Sequence, residues 1–168
     1  MNVQRDMTYD SFIASQIEAG LALAGDSELL DLEPLSTPPY QRFVAEYRCK
    51  GLVRVGDRAV READHFVVGI WMNADYLRWA HVPEVLTWLG PLEIWHPNIR
   101  PPHICIGDLD PGTLLVDLLY RCYAVICYQR CTMREDNALN WQACKWARGH
   151  QERFPVDHRP LKWRASAS

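Results

Sequence analysis

Three observations in the 168-residue sequence predict an α+β fold. Apolar residues near the N-terminus recur with a helical period, and those after Arg42 recur with a period of two. The longest apolar stretch, residues 114–128, follows both and is too regular and too long for a strand. The expected order is a helix, an antiparallel strand meander, a proline-rich loop, a buried helix and a final helix, built as one domain.

The elements follow in turn. Ile13, Ile17, Leu21 and Ala24 mark one face of an amphipathic helix, which Asp10 or Ser11 can cap and which Gly25 and Asp26 break. Residues 27–32 could add another turn or two before Pro34, Pro38 and Pro39 close the helical region. Phe43, Ala45, Tyr47 and Cys49 then alternate with Val44, Glu46, Arg48 and Lys50, the pattern of a half-buried strand. Residues 52–55 and 58–61 flank Gly56-Asp57 as a hairpin, and residues 66–72 form a near-continuous apolar run suited to a central strand. Asn73-Ala74-Asp75 ends it. Pro83 precedes a short strand over residues 85–89.

In the second half, Asp110 is placed to cap a helix with Pro111 at its first position. Residues 114–128 are apolar nearly all round, as a buried central helix requires, with Asp117 and Arg121 spaced as an i,i+4 pair. Residues 134–137 interrupt, and residues 138–150 form a last helix with Leu139, Ala143 and Trp146 on one face. Residues 156–168, with their basic side chains, read as a flexible solvated tail.

Composition excludes several classes. A net charge of −3 and a pI near 6.0 leave no basic footprint for nucleic acid. The polar first ten residues lack a signal-type apolar segment, and the run at 114–128 is too short and too charged to span a bilayer. A cytoplasmic location follows as the expectation. Six cysteines in such a chain are expected to be reduced thiols. Cys122, Cys127 and Cys131 lack paired zinc-ligand spacing, so no metal or other cofactor is expected. Trp71, Trp79, Trp88, Trp95, Trp141 and Trp146 read as core and rim aromatics.

The chain is organised around residues 95–108, which carry two histidines, three prolines, an asparagine and a cysteine. Proline fixes φ and removes a donor, so a rigid irregular loop that cannot pair as a sheet is expected there, ending at Cys105. His96-Pro97-Asn98 followed by Ile104-Cys105 resembles the active-site signature of ubiquitin-conjugating (E2) enzymes, and the resemblance runs from about residue 82 to 144. The spacing from Asn98 to Cys105 is short and Pro111 follows the cysteine early, which places the chain nearest the divergent prokaryotic E2-like proteins.

That resemblance implies a UBC-like fold over residues 1–155. It implies that Cys105 accepts a ubiquitin-like protein from an E1-like activating enzyme as a thioester and passes it to a lysine of a protein substrate. Asn98 would stabilise the oxyanion, and His96 would complete the loop, more as a brace than as a base. Asp108 and Asp136, with Glu135, would position the attacking amine. The activating enzyme would meet the face of the first helix around Phe12 to Leu21.

The residues also allow plainer readings. Cys105 could be a packing thiol, Asn98 a loop brace, Glu135 a solvated turn and His103 surface decoration, although an extended segment would put His103 on the side of Cys105. The rival functions are a non-catalytic E2-variant or RWD-like interaction scaffold, which generally lacks the cysteine, and a cysteine hydrolase pairing Cys105 with His96 or His103.

Overall fold

The computed structural model describes residues 6–35, 41–57 and 59–162. Pro38, Pro39, Arg58 and the end of the tail from residue 163 lie outside the described residues. The architecture is α+β. Helix α1 (Met7–Gly25) starts earlier than the expected caps, because the Asp6 carboxylate accepts from the Thr8 and Tyr9 N–H groups. Its buried face is Tyr9, Ile13, Gln16, Gly20 and Leu23. The expected stripe is therefore rotated, and Leu21 is 44% exposed.

Residues 27–32 do not extend the helix. Leu30 and Leu32 alternate with exposed neighbours in strand β1 (Leu30–Pro34), which pairs antiparallel with β2 (Arg42–Tyr47). Strand β2 pairs with β5 (Phe66–Trp71), and β5 with β6 (Leu86–Gly90), giving the order β1-β2-β5-β6. Between β2 and β5 the chain leaves this sheet as a separate hairpin, β3 (Gly51–Val55) with β4 (Ala59–Ala63). A single helical turn, α2 (Val82–Val85), leads into β6. The buried face of the sheet carries Phe43, Ala45, Tyr47, Phe66, Val68, Ile70 and Trp88, as a period of two demands.

The expectation of an unpaired site loop is corrected. Ile99–Arg100 (β7) and His103–Ile104 (β8) form a minimal hairpin with Pro101-Pro102 at its turn, where missing donors cost nothing. The expected Asp110 cap is corrected too. The Asp110 carbonyl accepts from Thr113 N and Oγ1 in a turn, and helix α3 (Leu115–Ile126) begins later. The first N–H of α3 is taken instead by the buried Gln16 side chain of α1, at 2.8 Å.

Helix α1 packs on α3 and β1, and Gly20 makes this possible. A Cβ there would sit 2.7 Å from Leu32 and 2.8 Å from Leu115 side-chain carbons. Helix α3 buries Leu115, Leu118, Leu119, Cys122 and Ile126, but Asp117 and Tyr120 face solvent, and Arg121 donates to the Asp108 carbonyl. Helix α4 (Trp141–Gly149) is capped by Asn140 through Ala143 N. Among the described residues no helix is long and apolar enough to cross a membrane.

The tail also departs from expectation, since residues 156–162 are laid on the body. Leu161 is buried, and the Asp157 carboxylate is 2% exposed. Asp157 accepts from Lys50 N at 3.0 Å and from the Arg159 guanidinium at 2.7 Å. Gln129 donates to its carbonyl, and Tyr123 donates to that of Arg159.

The Arg159 guanidinium and these backbone donors hold Asp157 down at about 2 against an ordinary 3.8. A depressed carboxylate stabilises the fold fully above its unfolded value and loses that contribution as pH falls towards 2. Asp157→Asn is expected to lower unfolding stability by roughly 1.5–3 kcal/mol at neutral pH, with a smaller difference from the parent at pH 2. Denaturant titrations at the two pH values measure both effects.

Candidate active site

The segment from Trp95 to Cys105 is pinned from three directions. Tyr128, at the end of α3 with φ 62°, donates its hydroxyl to the Trp95 carbonyl. Asn140 N, at the start of α4, donates to the Pro97 carbonyl at 3.0 Å. Thr132 N donates to Asn98 Oδ1 at 2.8 Å. These contacts join the site loop to the end of α3 and to the connection leading into α4.

His96 is fully buried against the Tyr128 ring, with centroids 4.2 Å apart. Its Nδ1 accepts from Asn98 N at 2.9 Å, so the ring proton sits on Nε2. Nε2 has no partner in hydrogen-bond geometry, although the Arg130 and Val125 carbonyls lie near enough to favour the charged ring. Burial outweighs them and drives the imidazole down to about 3. His96 is therefore placed as a neutral brace within the loop, with its ring out of reach of solvent.

Asn98 is the hub. Its backbone carbonyl accepts from Cys105 N at 2.8 Å, and its Nδ2 donates to the Cys105 carbonyl at 3.3 Å. Its Oδ1 is taken by Thr132, so one Nδ2 hydrogen is left unassigned. Cys105 is half-buried at a cleft of about 280 Å³ that Asn98, Gly107, Arg130, Cys131 and Thr132 also line. Gly107 turns the chain away at φ 90°, a conformation open to glycine.

A second thiol shares this cleft. Burial, with Cys144 nearby, pushes Cys131 up to about 12, so it stays protonated. Cys49, Cys122, Cys127 and Cys144 are buried. Of the two half-buried thiols at the cleft, Cys105 is the one whose carbonyl accepts from the Asn98 amide.

The structure does not bring the acidic candidates to this cleft. Asp108 is exposed beyond Gly107 and contributes its carbonyl to Arg121. Asp136, in a 3₁₀ turn at Glu135–Asn137, accepts from Arg134 Nε and Nη2 on its two carboxylate oxygens, and Glu135 pairs with Arg148. His103 is exposed on β8 opposite Arg100. Arg130 and Thr132 were missed by sequence reasoning, because nothing local to residues 130–132 signals a fold back onto the loop.

Unfolded histidine titrates near 6.5, whereas folded His96 stays neutral to about 3. Protons bind the unfolded chain preferentially between those values, so the His96 contribution to stability is complete above pH 6.5 and falls below it. The expected loss approaches about 1.4 kcal/mol per pH unit, and His96→Asn should flatten the stability profile between pH 6 and 4. Asn98→Ala is expected to speed amide exchange at Thr132, read by hydrogen exchange, because that N–H loses its acceptor. Compared with known proteins, the chain matches no protein-family model and no curated protein.

Proposed function

We propose that the chain is an E2-like conjugating enzyme with a UBC-like fold. It accepts a ubiquitin-like protein from an E1-like activating enzyme as a thioester on Cys105 and passes it to a lysine of a protein acceptor. The observation that carries this reading is a solvent-reaching thiol beside an ordered asparagine amide, with its neighbouring histidine sealed off. The order of α1, four-stranded antiparallel sheet, site loop, α3 and α4 is in keeping with it.

The chemistry suits a thiol exchanging with an acyl group that is already activated. The Cys105 thiolate attacks the thioester carbonyl on the activating enzyme, and the donor thiolate leaves, so no imidazole base is required. In the second step a neutral lysine amine attacks the Cys105 thioester, loses a proton and expels the thiolate. The unassigned Asn98 Nδ2 hydrogen is the donor available to the oxyanion. A cysteine hydrolase fits less well, because it needs a base in reach of the thiol, and His96 is buried with Nδ1 occupied. The activating enzyme is assigned to the exposed side of α1 around Leu21.

The test mixes the protein with the activating enzyme, its ubiquitin-like protein and ATP, and compares gels with and without reductant. A reductant-sensitive adduct is expected, absent in Cys105→Ala and reductant-resistant in Cys105→Ser. No adduct on Cys105 in the presence of a charged activating enzyme would remove the conjugating reading and leave the interaction scaffold.

A further inference from the structure

The β3–β4 hairpin, the site-loop residue Trp95 and helix α4 wall a second cleft of about 400 Å³, which shares no lining residue with the Cys105 cleft. We propose that this cleft docks an acidic, apolar-anchored peptide segment of a partner protein. The proposal does not rest on the thioester chemistry.

Its floor is aromatic and preassembled. Trp95 and Trp146 meet edge to face with centroids 6.5 Å apart, and Leu52, Tyr128 and Ala143 support them in a small core of their own. Trp141 stands at the rim, 54% exposed in the first turn of α4. A large indole left in water beside a concave apolar floor is the kind of anchor that dominates binding energy at interfaces.

The lining charge is net positive. Arg54 lies over the Trp95 ring at 4.7 Å and is steadied by a hydrogen bond to the Asp57 carbonyl. Arg153 lies over Trp146 at 5.5 Å and donates to the Val60 carbonyl, bridging the helix end to the hairpin. Of the residues that line the cleft, Arg54 and Lys145 are cations and Asp57 is the acid, and Arg153 stands just outside the lining. Stacked, hydrogen-bonded guanidinium groups present a fixed pattern for carboxylates, at less ordering cost than free side chains. The excess is local, since the whole chain carries −3. That balance disfavours a polyphosphate, which would meet repulsion beyond a patch this small. It suits a short segment whose carboxylates reach Arg54, Lys145 and Arg153 while one apolar side chain covers Trp141.

The full chain is titrated, by fluorescence anisotropy, with labelled peptides alternating aspartate and glutamate with leucine and phenylalanine. Controls are an acidic glycine-serine peptide, a basic leucine-phenylalanine peptide and a single-stranded oligonucleotide. Saturable binding is expected for the acidic apolar peptide alone, weakening as salt rises. Trp141→Ala and Lys145→Glu, both at exposed positions, are expected each to weaken it about tenfold or more with unchanged circular dichroism, a loss of about 1.4 kcal/mol. Cys105→Ala should bind as the parent does, which separates this result from the thioester assay. Absence of saturable binding, equal affinity for the basic peptide or the oligonucleotide, or indifference to both cleft substitutions would overturn the proposal.

Discussion

A buried phenol has to place its hydroxyl proton on an acceptor, and this fold is tied together by that requirement. Among the described residues, five tyrosines donate to a backbone carbonyl on another segment. Tyr9 fastens α1 to the end of β5 at Met72, and Tyr47 fastens the sheet to α3 at Leu119. Tyr76 holds the turn before α3 at Thr113, Tyr123 holds the tail at Arg159, and Tyr128 holds the site loop at Trp95. Burial raises all five phenols, so the ties persist as neutral hydrogen bonds through the physiological range.

The last of these ties governs the chemistry. With Trp95 fixed by Tyr128, the next residue, His96, has its ring against the same tyrosine and no route to water. Its lone pair then orders the Asn98 backbone, and Asn98 orders Cys105 and Thr132 in turn. A chain of neutral donors and acceptors, rather than a charged relay, positions the thiol. Such a site suits acyl exchange between thiols, where the leaving group is already good.

Trp95 lines the cationic cleft and is also tied to the loop that leads to the Cys105 cleft. Its carbonyl anchors the loop that presents Cys105, while its ring is the floor of the cationic cleft on the hairpin side. Cys131 packs against the same small core and lines the Cys105 cleft.

The sequence by itself determined the α+β class, the alternation of β2, the central strand β5, the Gly56-Asp57 hairpin and the proline-rich segment that carries Asn98 and Cys105. Those features are local, since a side-chain period of two, a turn dipeptide or a proline cluster acts within a few residues. Tertiary structure decided the rest. Residues 30–34 became a strand because β2 offered a partner, and Gln16 replaced Asp110 at the start of α3 because Gly20 lets the two helices close. The Asp157 carboxylate found Lys50 N far back in the chain and turned an expected loose tail into a packed strap. The complete burial of the His96 ring has the same origin, because burial is a property of what packs around a ring and no local pattern encodes it.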